Sequence, residues 1–445
     1  MQVIYSWMET LLPFSWVSFD FMKNALLAIL IITPLFGILG TMIVRNKMAF
    51  FSDALGHSAF TGIAVGVLCG LSDPMWCAVL LALVFAVPAS IDFLAMHRQE
   101  EVVQTSQLTE VKMLSEYCEG LKDSDLDTEI YMFDSGVPGG TFLVLGGTHP
   151  NESAGMMSAI AMIENIQVTA GKVYIMPWTN KSGFTHTSPL DGMLDRFSIT
   201  LADGSQRTFR VGNRLTNPVD QWPDRNFYEG SSGRKLVGTE TAEIRNVNRL
   251  YPGNENGVLT ERVCAGVKNL INEENVSIVM DMHEGSPEFL YLDTTMAHER
   301  ALDVASLMAM DMSLEGLNMK AELSGMTSYG LSHRSLGDNT SALMTLMETY
   351  NPSMGPLHGK MDDDLIVNGN EPNYYEAHKQ GYIYYNVKEN GIPLIERIAR
   401  HITCISLLKD AYNTYHADAP IEFTCIGSYS DMMDLGLENI FKPLS

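Results

Sequence analysis

Thiols and positive charge are both scarce in this 445-residue sequence. Its six cysteines are scattered and none forms a Cys-x-x-Cys pair. That excludes a thiolate metal cluster and a disulfide framework, and it fits a reducing compartment. Cys69 and Cys77 fall in apolar runs, where they are expected to pack as small hydrophobes. Any metal ligands must then be histidine and carboxylate. Lysine and arginine total 29 against 53 acidic residues, a formal charge of −24, which argues against a nucleic-acid backbone as the main partner. No Gly-x-x-x-x-Gly-Lys-Ser/Thr phosphate loop occurs, so no ATPase of that kind is encoded. Internal repeats and low-complexity tracts are also missing.

Long uncharged runs are confined to the first hundred residues. Residues 25–44 carry no charge over twenty positions, the length needed to span a bilayer. Residues 48–71 are a second, less pure segment, and 74–91 a third uncharged run. A cleaved signal peptide would not have three such segments, so an all-α region of about three transmembrane helices is expected. Within the second, Asp53 and His57 are spaced to share a helix face. They are functional candidates if they lie at membrane depth, and merely wet if the stretch is an interfacial elbow. Arg45 and Lys47 follow the first segment, Asp73 separates the second from the third, and His97 and Arg98 follow the third. The positive-inside rule then puts the N-terminus outside and everything after residue 98 in the cytoplasm, at the cell membrane.

The stretch MAFFSDALGHSAFTGIAVG (48–66), after an apolar helix ending in Arg45 and Lys47, resembles the membrane permease of zinc and manganese ABC importers over roughly residues 15–96. The resemblance implies an ABC ATPase as partner. Such permeases have many more spanning segments than three, so residues 1–98 read as a partial permease.

From about residue 126 the pattern changes to strands alternating with helices. Candidate strands are 141–146, 173–177, 276–282 and 342–348; candidate helices are 153–165, 258–273, 298–314 and 393–413. That alternation is the mark of an α/β domain with a parallel or mixed sheet. Residues 99–125 read as a linker with a leading helix, and 126–445 as the domain itself. Residues 178–246 interrupt it with a polar insertion in which Asp203-Gly204 signals a hairpin. An insertion of that length beside a cleft is expected to form a lid or a substrate wall.

Four places carry chemistry. His149 and Glu152 follow the apolar run 141–145 on a strand-to-helix turn, a neutral imidazole and a carboxylate suited to half of a zinc site. A second His-x-x-Glu, His97 to Glu100, has no strand before it, so the spacing alone also fits a polar turn with Glu152 capping the helix. His283 ends another apolar run, and ligands at the C-terminal ends of parallel strands meet in one crevice. It is placed to be a third ligand, leaving an open fourth position, with Asp281 on the same side of the strand to orient it. Glu348, at the end of 342–348, is placed as general base for metal-bound water. Asn248 and Arg249 stand together before Pro252-Gly253, an amide and a planar fork that could grip a substrate carboxylate. Arg225 or Arg245 could polarise the scissile carbonyl.

The series Gly147-Thr148-His149-Pro150-Asn151-Glu152, Asn248-Arg249-Leu250-Tyr251-Pro252-Gly253, Asp281-Met282-His283-Glu284 and Met347-Glu348-Thr349 resembles the succinylglutamate desuccinylase/aspartoacylase family, a branch of the zinc carboxypeptidase superfamily. It covers about residues 126–365, and the whole of 99–445 is expected to belong with it. The resemblance implies a carboxypeptidase-like mixed sheet flanked by helices and one Zn2+ per chain held by His149, Glu152 and His283. It implies Glu348 as the base that later protonates the leaving amine, and Asn248 and Arg249 as the carboxylate grip. The carbonyl-polarising arginine is expected upstream of Asn248; Arg245 is the nearer choice and Arg225 the alternative. Where the family has Asp-Leu before Asn-Arg, this chain has Asn246-Val247. The expected activity is hydrolysis of the amide bond of a small, carboxylate-bearing N-acyl amino acid. Cleavage at peptide C-termini is the alternative. A third is a membrane component of a metal importer with a non-catalytic zinc-binding appendage.

Overall fold

The computed structural model describes all residues except 1, 13, 28, 29, 31–48, 189–191 and 445. The chain divides into two compact units, Met1–Phe93 and Leu94–Ser445. The first is helical, with helices Gln2–Leu11, Ala49–Leu68 and Met75–Met96, the last running into the second unit. Most of the expected span 25–44 lies outside the described residues. Among the described residues no helix is long and apolar enough to cross a membrane, so the three expected spans are carried by the sequence alone. Cys77 is half-buried and Cys69 exposed, because Cys69 falls just past the end of its helix; the packing expected of it is not seen.

The second unit is built on a sheet of eight strands. They are β1 (Glu110–Met113), β2 (Glu129–Asp134), β3 (Thr141–Leu145), β4 (Lys172–Met176), β5 (Ile278–Gly285), β6 (Thr294–Ala297), β7 (Lys320–Leu323) and β8 (Leu343–Tyr350). Their order across the sheet is β1-β2-β4-β3-β5-β8-β6-β7. The centre, β4-β3-β5-β8, is parallel; β2 and the β6-β7 pair run against it, and β1, antiparallel to β2, runs with it. Every residue of β3 and β5 is buried, which is why β3 and residues 278–280 of β5 read as continuous apolar runs rather than alternating ones.

Helices cover both faces. Ser153–Asn165, Leu302–Leu314 and Leu394–Tyr415 share one apolar core with the sheet. Leu259–Glu273 covers the other face with Leu114, Cys118 and Leu121. Those last three have helical spacing and lie in 99–125, where a leading helix was expected. The structure corrects this: the segment is the edge strand β1 followed by two single turns of 3-10 helix, Leu114–Glu116 and Glu119–Leu121. Asp123, at φ +62, stops helical continuation, since left-handed backbone cannot extend a right-handed helix.

The insertion 178–246 contains the expected hairpin, Arg196–Thr200 against Gln206–Arg210, turned at Asp203 and Gly204. A smaller hairpin, Phe227–Glu229 with Lys235–Val237, follows it. Glu100 of the second His-x-x-Glu is buried and fully used: Arg210 and the Trp178 indole N–H both donate to its carboxylate. That carboxylate is part of the packing.

Candidate metal centre and cleft

β3 and β5 are neighbours in register, Leu145 beside Asp281, so the turn after β3 and the C-terminal half of β5 arrive at the same place. Gly147 makes the turn possible. Its φ is +60, and a Cβ there would lie 2.6 Å from the Pro177 carbonyl oxygen. The chain then delivers His149 and Glu152 opposite His283. His149 Nδ1 lies 2.6 Å from Glu152 Oε1 and 3.2 Å from His283 Nδ1, which is itself 2.9 Å from Glu152 Oε2. All three side chains are buried.

Glu152 occupies the N-cap position of helix Ser153–Asn165 but makes no capping hydrogen bond. The Ala154 N–H donates instead to Glu284 Oε2 at 2.9 Å. Glu152 is therefore committed to the imidazoles and not to the helix terminus.

The far nitrogen of each imidazole is occupied. His149 Nε2 is 3.0 Å from Asn246 Oδ1. His283 Nε2 is 3.0 Å from Asp281 Oδ2, an ion-pair distance without the angle of a good hydrogen bond. Asp281 is fastened in turn by hydroxyl donation from Thr148 (2.8 Å) and Ser332 (2.6 Å). With their outer nitrogens held, both rings turn Nδ1 to the common centre, as outer-shell partners of metal-binding histidines do. Burial depresses the His149 imidazole. Burial works against the Glu152 carboxylate, yet the two imidazoles outweigh it and hold the carboxyl below its ordinary range. A neutral imidazole beside an ionised carboxylate, with donor atoms gathered within 4.8 Å, fits a divalent cation of the zinc type.

Asn246 also explains its own departure from the aspartate of the resembled family. Its Oδ1 faces His149 while its Nδ2 donates to Glu243 Oε2 at 2.7 Å. A carboxylate could accept from the imidazole but would meet Glu243 as a like charge.

These groups open into a cleft of about 570 Å³ that also contains Arg214, Asn248, Arg249, His333 and Glu348. Glu348 is the register partner of His283 on the adjacent strand. Burial pushes its carboxyl up to about 8; His283 opposes the shift, and the Glu152 and Asp281 carboxylates add to it. Arg249 lies 3.5 Å from Glu243, and burial lowers its guanidinium to about 10, with the neighbouring Arg214 charge acting in the same direction.

Arg245 does not reach this cleft. Its guanidinium grips Asp224 through Nε (2.8 Å) and Nη2 (3.2 Å), and Nη1 donates to the Thr216 carbonyl at 2.8 Å. Arg225 lies over the Tyr228 ring, lining a different cavity. The expectation placed on both is corrected: sequence proximity to Asn248 does not bring either guanidinium to the metal side. The arginine that does reach the cleft beside Arg249 is Arg214. It lines the cleft, touches Glu243 at 3.5 Å, and keeps a buried Nε without a hydrogen-bond partner. A signal for it was present: the tripeptide Asn-Arg-Leu occurs at 213–215 as well as 248–250.

Comparison with known proteins places the two parts of the chain differently. Residues 18–105 match the ABC 3 transport family. An uncharacterized membrane protein of Synechocystis is 35% identical over 71 residues, which are 16% of this chain and 25% of the relative. The chain thus spans about a quarter of the length of the curated relative it matches. Among solved structures, a succinylglutamate desuccinylase/aspartoacylase from Rhodobacter sphaeroides aligns over 52% of this chain and 54% of its own, at 17% identity and TM-score 0.31. An aspartoacylase family protein from Mesorhizobium loti aligns over 57% and 65%, at 15% identity and TM-score 0.33. A metallo-carboxypeptidase from Burkholderia cenocepacia aligns over 74% and 69%, at 10% identity and TM-score 0.41.

Proposed function

We propose that the second unit is a zinc-dependent amide hydrolase acting on small N-acyl amino acids. The observation that carries this reading is the convergence of His149, Glu152 and His283, with the Glu348 carboxyl on the neighbouring strand and two guanidiniums across the cleft. His149 Nδ1, Glu152 and His283 Nδ1 would hold the ion, Asn246 and Asp281 setting the rings. A bound zinc ion supplies a Lewis acid and lowers the pKa of water toward neutrality. Glu348 accepts the water proton on a carboxylate oxygen and returns it to the leaving amine nitrogen. Arg214 donates to the carbonyl oxygen as negative charge grows there. Asn248 and Arg249 grip the substrate carboxylate, Asn248 being steadied by the Ser332 N–H at 2.8 Å.

The first unit is proposed as a membrane attachment with the hydrolase on the cytoplasmic side. The match to a transport family, the flanking Arg45, Lys47 and Arg98 and the exposed Leu80, Val84, Val87 and Ile91 on helix Met75–Met96 support it. The same match favours a second reading, a metal-importer component working with a separate ATPase. The deciding experiment is on the full chain: zinc content by elemental analysis, and amine release from a panel of N-acyl amino acids. Zinc near one per chain with turnover lost in Glu348→Gln is expected. Bound zinc with no hydrolysis of any amide would return the advantage to the importer reading.

A further inference from the structure

The cleft runs on past the metal-binding group across the sheet. Leu346 and Glu348 are two apart on β8 and share a face. Met296 of β6 pairs with Leu346, and Glu322 of β7 pairs with Met296. All four line the cleft, so a row leads from the general base over an apolar floor to the exposed Glu322 at the sheet edge. Leu323, Leu331, Phe289 and Tyr291 form the sides. Phe289 and Tyr291 are 42% and 46% exposed, apolar surface that an occupant would cover. The cations among the cleft-lining residues are Arg214 and Arg249, which stand with Asn248; none lies along this arm.

The arm and the carboxylate grip share a wall. Ser332 donates its N–H to Asn248, and the next residue, His333, lines the cleft with Nδ1 held by Ser324 Oγ at 2.7 Å. In an amino acid the carboxylate and the side chain leave the same carbon. A substrate held by Asn248 and Arg249 therefore turns its side chain into the arm and its acyl group away from it.

Resting on the hydrolase reading, we infer that this arm is the specificity pocket for the amino-acid side chain, and that it takes uncharged apolar or aromatic side chains and rejects acidic ones. An aspartate or glutamate side chain would be stripped of water there without a cation and would approach Glu322. This sets the chain apart from an aspartate- or succinylglutamate-directed hydrolase.

The test uses the zinc-loaded full chain in detergent and N-acetyl derivatives of Leu, Met, Phe, Asp, Glu and Lys. Amine release gives kcat/KM, and calorimetric binding to Glu348→Gln reads the pocket without turnover. Leu, Met and Phe are expected to exceed Asp and Glu on the order of 10–100-fold in both measurements, the usual worth of a side chain matched to an apolar pocket. Acidic substrates, or Lys, equal to or better than the apolar ones would overturn the pocket and leave the hydrolase standing. The binding preference without turnover in the unsubstituted chain would sink the hydrolase and keep the pocket, while flat or absent binding overturns the pocket. Met296→Lys on the floor should shift the ratio toward Asp and Glu, and Leu323→Lys, on the exposed rim, does the same without a core change. If neither shifts it, the side chain lies elsewhere and the inference is wrong.

Discussion

The same substitution at two arginines should give opposite signatures. Arg214→Met removes a guanidinium that is 38% exposed and touches Glu243 only at 3.5 Å. An ion pair that loose and that wet contributes at most about 1 kcal/mol, so thermal stability should hardly move. Its loss should appear in turnover. A donor aimed at a developing oxyanion is worth about 2.7–4 kcal/mol, so kcat should fall by roughly 10²–10³ with zinc content unchanged. Arg245→Met removes two contacts to Asp224 and one to the Thr216 carbonyl from a side chain only 7% exposed. Breaking a buried pair and leaving one charge behind costs about 3–5 kcal/mol. In a unit of this size that is a fall in Tm of roughly 5–10 °C, with kcat of the folded fraction kept. Both variants can be followed by differential scanning fluorimetry and amine release on one preparation. Should Arg245→Met abolish turnover at an unchanged Tm while Arg214→Met turns over normally, the assignment of Arg214 to the carbonyl is refuted.

Further outcomes follow from the same contacts. Glu348 is held up to about 8 by burial against an ordinary 4.5. The metal-free fold therefore binds the proton more tightly than the unfolded chain and loses stability as pH rises through that window. Glu348→Gln should raise the Tm of metal-free protein at pH 8–9 and leave it unchanged at pH 4; an equal shift at both would mean the carboxyl does not titrate there. Arg397 and Glu284 form an ion pair at 2.8 Å with both side chains wholly buried, so Arg397→Met should destabilise by about 3–5 kcal/mol in denaturant unfolding. A loss below about 1 kcal/mol would show that the Ala154 N–H and the Asn351 amide, which donates to Glu284 Oε2 at 3.2 Å, satisfy Glu284 by themselves. Arg249→Met should lower kcat/KM about 10–150-fold on a free carboxylate, the worth of one charge-assisted hydrogen bond, and lose little further on the amidated substrate. Equal losses on acid and amide would remove its role as carboxylate grip. Protease added to intact cells should leave residues 99–445 uncut; cleavage there would overturn the orientation drawn from Arg45, Lys47 and Arg98.

What could be read from the sequence was whatever is repeated locally. β3 and the start of β5 announce themselves because burial on both faces demands apolar runs, and the metal-binding group lies on the turn after β3 and in the C-terminal half of β5. The edge strands β1 and β7 and the inner strand β6 are four residues each, so nothing in their own composition demands a strand; pairing of β1 with β2, of β6 with β8 and of β7 with β6 decides them. Leu114, Cys118 and Leu121 show the opposite failure, a true helical period serving two separate turns under Leu259–Glu273. Arg214 was hidden because the insertion folds back on itself. Distance along the chain favoured Arg245, whereas Asp224 and Thr216, which claim that side chain, are contacts that only tertiary structure sets.

The π-turn Ser332–Leu336 ties two sides of the cleft into one piece. Its first residue gives a hydroxyl to Asp281 and a backbone N–H to Asn248, so the histidine orienter and the carboxylate grip hang from a single residue. A π-turn contains one residue more than the α-helical turn it replaces, and deleting that residue would rotate Ser332 off both partners together. Metal retention and substrate affinity should therefore decline in step across length variants of this segment, and an engineer wanting to re-aim the grip alone would have to leave Ser332 untouched and work instead from Glu243, which lies 3.5 Å from the Arg249 guanidinium.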